Sequence, residues 1–234
     1  MNSYPNIGRF LKMAAFAGAF ALSLAGVSAS RADDEKVPLP LKLPKPVFAG
    51  TAANTKAGPN VEKLSEKKRE IPMVPKGTVN LALHKKVTSS VSPFSGSLDQ
   101  ITDGDKEAKE DTAVEFRAKN QQWVQIDLGA TSPLSYIVLW HFHLEPIIFH
   151  GVVVQVSNDP NFVDGVTTVF NNDVENALGL GIGKDKEYFE TNEGKLIDAK
   201  GAKARYVRLY ANKSTYRDPL NRYTEVEVYG LPAK

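Results

Sequence analysis

The chain of 234 residues contains no cysteine. A disulfide framework, a thiolate metal site, covalent haem attachment and a cysteine nucleophile are therefore excluded, and so is a lipoprotein anchor. The sequence also has no series of long apolar spans, which excludes a polytopic membrane protein. Its 42% hydrophobic and 24% charged residues exclude wholesale disorder. A hydrophobic core, not a covalent cross-link, must hold this protein together.

A large excess of one charge is also lacking, since 29 basic and 27 acidic residues give a formal net charge of +2. The two signs are distributed unevenly along the chain. Residues 30–78 carry ten basic and six acidic groups, whereas residues 79–234 carry 17 basic and 21 acidic groups. The part with a globular composition is mildly acidic, so we expect no nucleic-acid partner.

The first 29 residues have the pattern of a bacterial-type signal peptide. Arg9 and Lys12 precede an apolar stretch from Met13 to Val27, which is too short to span a bilayer comfortably. Small residues before Ala29 offer a cleavage site, and a second site follows Ala32. We expect a secreted or periplasmic protein with no membrane span after cleavage; an uncleaved membrane anchor is the alternative.

Residues 30–78 are rich in proline and lysine, which predicts an extended segment because proline fixes φ and removes a hydrogen-bond donor. One interpretation is a linker between the domain and a partner surface. The other is an extended arm that packs on a neighbour, such as an envelope protein that contacts residues 37–76. The second interpretation rests on apolar residues that a spacer does not require: Leu39, Leu41, Leu43, Val47 and Phe48.

Residues 79–232 alternate between apolar and polar side chains over short segments, which is typical of half-buried β-strands. Seven segments are predicted as strands: Leu83–Ser89, Trp123–Leu128, Leu134–Phe142, Gly151–Ser157, Thr167–Phe170, Ala204–Tyr210 and Tyr223–Tyr229. Helical periodicity is nearly absent between them. The pattern therefore predicts an all-β antiparallel sandwich of about eight strands, preceded by the Pro/Lys-rich extended arm.

Six sequence blocks in this region suggest a family by their order and spacing. They are Asn80–Ala82 with Val87–Ser90, Thr102–Asp105, Trp123–Gly129, Val154–Ser157, Ala204–Leu209 and Thr224–Gly230. Together they resemble the discoidin domains, also called coagulation factor V/VIII type C domains, over residues 79–232. The resemblance implies a jelly roll of the galactose-binding type whose loops bind a ligand at one end. The chain departs from many members in lacking an end-linking disulfide and in having Val114 in place of tryptophan. The missing disulfide favours the bacterial carbohydrate-module branch over the phospholipid-binding branch.

The same resemblance implies a structural calcium site. Asp103, Asp105 and Thr112 lie in one loop, and with Glu225 they match the family positions that hold calcium. Carboxylates, a hydroxyl and loop carbonyls are the oxygen ligands that Ca²⁺ prefers. The loop is not an EF-hand, since Ala108 stands where that motif needs glycine. The alternative is a simple turn with exposed acids.

Three histidines form a second candidate group. His141 and His143 alternate on a strand-like run, and His150 follows across a short loop. Such a pair on a strand can ligate zinc, but no third ligand is fixed by spacing and no base accompanies the group. A ligand-binding role and simple packing remain alternatives, and Trp140 and Phe142 are expected in the core.

Further candidate ligand contacts lie in polar, amide-rich segments and include Asn172, Asn221 and Arg222, because amides and guanidinium groups pair with sugar hydroxyls. The glycine-rich run Gly179–Lys184 lacks the spacing of a phosphate-binding loop and is expected to be flexible. Asn212 begins a glycosylation sequon.

The residues and the resemblance together predict a secreted, non-enzymatic module that recognises carbohydrate or another cell-surface ligand through loops at one end of the sandwich. A structural or assembly protein of an envelope complex is the alternative. A zinc-dependent enzyme that uses His141, His143 and His150 is a lesser one.

Overall fold

The computed structural model describes residues 35–47, 58–64, 67–117, 121–215 and 220–233. The predicted signal peptide lies outside these ranges. The described residues form strands, loops and a short 3₁₀ helix at Leu98–Thr102. No helix within the described ranges is long and apolar enough to cross a membrane.

The strands are short except for β6, β11 and β13. In chain order they are β1 (Lys36–Pro38), β2 (Met73–Pro75), β3 (Val79–Asn80), β4 (Lys86–Ser89), β5 (Val114–Arg117), β6 (Gln122–His141), β7 (Phe149–His150), β8 (Val153–Ser157), β9 (Thr167–Asn171), β10 (Lys195–Asp198), β11 (Lys203–Ala211), β12 (Lys213–Ser214) and β13 (Leu220–Gly230). Each of the seven predicted strand segments overlaps one of them.

Two antiparallel sheets share the long strand β6. Its first half pairs with β4 and β11, and β11 continues to β8 and β9; we call this sheet 1. Its second half pairs with β10 and β13, and β13 also carries β3 and β5; this is sheet 2. Gly129, with φ of 88°, lies between the two halves, where the residues become exposed. The predicted antiparallel β-sandwich is confirmed.

The core lies between the two sheets and is built by the predicted alternation. Val124, Ile126 and Leu128 face inward from the first half of β6, and Val207 and Leu209 do so from β11. Their neighbours in sequence face outward, since successive side chains of a strand point to opposite faces.

Residues 36–41 and 73–75 of the Pro/Lys-rich segment pack on the outer face of sheet 2. Strand β1 pairs with β2, and this ribbon places Leu39 and Val74 against Val138, Trp140 and Tyr229. Leu39 and Val74 are almost completely buried there. The segment is thus a packed arm, but the surface beneath it belongs to the same chain. The expected contact with an envelope protein is not supported by these residues.

Candidate functional site

The loop that carries the predicted calcium ligands is tied to strand β13. Gly104, with φ of 90°, turns the chain so that its N–H donates to Glu225 Oε2 at 3.2 Å. Asp103 accepts the N–H of Asp105 at 2.7 Å, and the Asp105 carboxylate lies 3.7 Å from the amine of Lys109. The hydroxyl of Thr112 donates to carbonyls of its own loop. Asp105 and Thr112 are therefore engaged within the loop.

Glu225 is fully buried on β13, and its Oε1 atom has no hydrogen-bond partner. Burial raises the pKa of Glu225 to about 9; the nearby carboxylates of Glu227 and Asp103 also raise it, while Gly104 and Lys106 oppose the rise. Of the predicted calcium ligands, Asp103 and Glu225 thus lie near enough for their charges to interact. A buried carboxylate oxygen without a partner is a group that a cation would stabilise.

The three histidines are held apart by separate partners. His141 Nδ1 lies 2.8 Å from Glu190 Oε1 and the ring stacks on Phe149, so this histidine is part of the core. His143 Nε2 lies 2.9 Å from the carbonyl of Lys106 and is equally buried. Among the described residues, no three side chains of His, Cys, Asp or Glu converge into a group that could hold a metal. The described residues therefore give no support to the zinc alternative.

Trp140 and Phe142 are buried, which confirms that they are core residues. Asn221 is also fully buried. Arg222 Nε donates to Glu115 Oε2 at 2.8 Å, and Glu115 also binds Arg117. Arg222 is thus held in an ion-pair network, whereas the side-chain amide of Asn221 is buried without a hydrogen-bond partner.

A surface feature beside this ion-pair network was not predicted. The ring of Phe94 is 63% exposed, and the guanidinium of Arg117 lies over it at 3.9 Å. An isolated aromatic residue next to proline carries no distinctive sequence signal.

A polar cleft of about 330 Å³ lies where loops from both sheets meet a part of the arm. This volume is near the lower end of the range for small-molecule sites, about 300–1,000 Å³. Its walls come from the arm, from the β7–β8 region, from the loop after β9, from the segment before β10 and from the start of β12. The lining residues are Asn60, His150, Gly151, Asn172, Asp173, Val174, Glu175, Ala177, Glu187, Asn212 and Lys213.

The loop after β9 is shaped by its own side chains. The two carboxylate oxygens of Asp173 accept the N–H groups of Ala177 at 3.0 Å and Leu178 at 2.8 Å, which closes the turn. Gly183 donates to the carbonyl of Asp173 at 2.8 Å, and a Cβ at Gly183 would meet the Asp173 nitrogen at 2.5 Å. Only glycine fits there. The glycine-rich run, expected to be flexible, is thus anchored at Gly183.

The cleft presents several kinds of polar group. His150 Nδ1 lies 2.5 Å from Glu187 Oε1, and both side chains are partly exposed. Asn172 is held by its Oδ1 atom, which accepts the Val152 N–H at 2.6 Å, while its Nδ2 atom has no partner. The Nδ2 atom of Asn60 is also without a partner.

The acidic groups of the cleft outnumber the basic ones. Asp173, Glu175 and Glu187 carry carboxylates, whereas Lys213 carries an amine and His150 an imidazole. His150 and Asn172 are the two predicted ligand-binding residues that line this cleft. The sequence offered no signal for Asn60 or Glu187, whose contact joins distant parts of the chain.

Solved structures of three other proteins are similar to about two thirds of this chain. A chitosan-binding module of a chitosanase/glucanase from Paenibacillus sp. IK-5 is 24% identical, with a TM-score of 0.44 over 65% of this chain and 99% of that one. The CBM32-4 module of a family 89 glycoside hydrolase from Clostridium perfringens, in complex with GlcNAc-α-1,4-galactose, is 15% identical, with a TM-score of 0.48 over 67% and 97%. The lectin-binding domain of lectinolysin, complexed with Lewis b, is 17% identical, with a TM-score of 0.45 over 66% and 97%.

No protein-family model and no curated protein sequence matches the chain. Membership of the discoidin family therefore stays a prediction from the six sequence blocks. The solved structures named above are carbohydrate-binding modules and a lectin-binding domain, and the ligands given are those of these other proteins. The fold assignment of this chain rests on its strand pairing: the chain is an antiparallel β-sandwich that carries a polar cleft beside its packed arm.

Proposed function

We propose that this protein is a non-catalytic carbohydrate-binding module and that the polar cleft is its ligand site. The observation that carries the proposal is the convergence, in one small cleft, of amide, carboxylate, imidazole and amine groups from separate segments of the chain. Sugar hydroxyls both donate and accept hydrogen bonds, so they match such a mixed set. The sequence blocks that resemble discoidin domains support the same class of function.

The charge of the cleft favours one kind of sugar. With three carboxylates against Lys213 and His150, the cleft attracts neutral or amine-bearing sugars more than uronic acids. Glu175 contributes most directly, because its side chain is exposed at the surface of the loop. We propose that amine-bearing or neutral oligosaccharides are the ligands.

We also propose that calcium stabilises the domain through Glu225 and Asp103. The support is the buried Oε1 atom of Glu225, which has no partner, and the electrostatic proximity of the two carboxylates. Because the described carboxylates do not form a group of three, backbone carbonyls of loop 103–112 would have to complete the ligand shell. The ion would supply positive charge to a buried carboxylate and take no part in catalysis.

Export of the protein also stays a proposal, since the signal-like residues lie outside the described ranges. An export signal is consistent with a module that meets polysaccharides outside the cytoplasm.

A glycan array that contains neutral, amine-bearing and uronic oligosaccharides tests the carbohydrate proposal, followed by calorimetric titration of the best ligand. For a neutral ligand, Lys213→Ala removes a hydrogen-bond donor of the cleft and should weaken binding about tenfold, whereas an amine-bearing ligand should bind no more weakly because a like charge beside it is removed. Lys86→Ala makes the same chemical change on β4, whose residues do not line the cleft, and should leave affinity unchanged. A wild-type chain that binds no glycan would overturn the proposal.

A further inference from the structure

The part of the arm between Gly58 and Leu64 docks directly beside the cleft. The N–H of Glu62 donates to the Glu187 carbonyl at 2.7 Å, and the N–H of Glu187 donates to the Asn60 carbonyl at 3.1 Å. These two bonds form a parallel bridge centred on Val61 and Glu187. The backbone of the arm is thereby paired with a residue of the cleft wall.

Side chains fix the same segment in place. Val61 is 8% exposed and packs with Ile148 and Phe189 in a separate small apolar cluster. The Glu62 carboxylate binds the amine of Lys195 at 2.5 Å, at the start of β10. Apolar burial and an ion pair therefore hold this short stretch of arm on the domain.

Glu187 serves both the arm and the cleft. Its backbone pairs with Asn60 and Glu62, while its carboxylate is hydrogen-bonded to the imidazole of His150 inside the cleft. Asn60 itself lines the cleft, and its Nδ2 atom is buried without a hydrogen-bond partner. A buried donor without a partner lowers stability, so its presence at a ligand site points to a partner supplied from outside the chain.

We infer that the arm segment Gly58–Leu64 is a wall of the ligand site and that Asn60 is a specificity-determining residue, whose side-chain amide donates to an oxygen of the bound sugar. The inference rests on the proposed function. It places a determinant of ligand choice in the Pro/Lys-rich region. That region precedes residues 79–232, which carry the resemblance to discoidin domains. A domain cut at residue 79 would lack this wall.

The test uses the full mature chain and three probes: a glucosamine hexasaccharide, an N-acetylglucosamine hexasaccharide and a galactose-terminated trisaccharide. Affinities are measured by calorimetric titration. Asn60→Ala should weaken binding of the preferred probe about tenfold, because the donor is lost. Asn60→Asp, which replaces the donor by a carboxylate of the same size, should weaken binding of a neutral probe at least as much.

The unfolding midpoint separates this role from a structural one. Because the buried Nδ2 atom has no partner within the chain and adds no stability, Asn60→Ala should leave the midpoint at or above the wild-type value while it loses affinity. Asn161→Ala, a matched change at an exposed loop residue that does not line the cleft, should alter neither quantity. Val61→Asp, which disrupts the apolar anchor of the segment, should weaken binding as Asn60→Ala does.

The possible failures are distinguishable. If the wild type binds none of the three probes and no glycan of the array, both the proposed function and this inference are overturned. If the wild type binds a probe but Asn60→Ala and Val61→Asp bind it equally well, the inference alone is overturned and the cleft remains a ligand site without the arm. A lowered midpoint with proportionally lost binding would make Asn60 structural and would also refute the inference.

Discussion

The outer faces of the two sheets are shielded from water in different ways. On sheet 2 the outer face is apolar, with Val138, Trp140 and Tyr229, and the arm covers it. On sheet 1 the outer face is polar: Arg208 lies between the rings of Trp123 at 4.2 Å and Phe162 at 4.1 Å. One face needs another layer of chain, whereas the other is shielded by its own long side chains.

The difference has a physical cause in the residue types. A long amphipathic side chain such as Arg208 covers apolar surface with its stem and plane while its polar atoms bind Gln125 and the Pro160 carbonyl. Apolar side chains such as Val138 offer no polar end, so an uncovered sheet face of this kind would expose them to water. The arm therefore belongs to the folded unit of sheet 2.

The largest effect should come from removing an arm side chain that covers sheet 2. Leu39 is 2% exposed, so Leu39→Ala should lower the free energy of unfolding by about 2–4 kcal/mol. Leu43, on the same arm, is 40% exposed, and Leu43→Ala should change it by less than about 0.5 kcal/mol. Urea denaturation measures both. Equal, small effects would show that the arm does not cover the sheet.

The next largest effect should come from the buried carboxylate of Glu225 in sheet 2, through the pH dependence of the free energy of unfolding. The pKa of Glu225 in the folded protein is raised to about 9, above its ordinary value of 4.5. Between these values the folded state binds more protons than the unfolded state, so without calcium the free energy of unfolding should fall as pH rises. The slope is at most about 1.4 kcal/mol per pH unit.

Glu225→Gln should flatten this pH dependence, because the glutamine has no proton to lose. Saturating calcium should flatten it in the wild type and raise the melting temperature, and chelation should reverse both effects. The measurement is thermal unfolding at pH 5 to 8 with chelator or calcium. A wild-type pH profile that is the same with calcium and with chelator would contradict the proposed calcium site.

The smallest effect should come from the open face of sheet 1. Arg208→Ala removes a guanidinium stacked between two rings, and it should lower the free energy of unfolding by about 1 kcal/mol. Arg208→Lys should not restore it, since an ammonium lacks the planar group. Arg205→Ala is the matched change on the same strand. Its ion pair with Asp127 is partly exposed, so the loss should stay below about 0.5 kcal/mol.

The sequence predicted the strands where alternation was regular and missed several of the short ones. Trp123–Leu128 alternates, and its polar positions lie on the open face of sheet 1. Strands β5 and β10 have only four residues each, too few for a pattern to stand out. The unbroken apolar run Ile137–Trp140 is typical of a strand that is buried on both faces. One of these faces is the one on which the arm packs.

The candidate site was predictable only in part. The polar segment after β9 was identified, and Asn172 lines the cleft; His150 does so as well. His141 and Asn221 were also chosen, yet neither lines the cleft. Residue type cannot distinguish them, because a histidine or an asparagine is compatible with a cleft and with a hydrogen-bonded core, and depth is set by the packing of distant strands.

The sequence by itself determined that this chain has no covalent cross-link, that residues 79–232 form an antiparallel sandwich, and that an apolar, proline-rich segment precedes it. Those properties follow from local composition and from the two-residue period of a strand. Only the tertiary structure decided that the arm covers sheet 2 and that Asn60 meets Glu187 at the cleft. Such contacts join residues far apart in the chain, and they depend on how whole elements pack rather than on any local pattern.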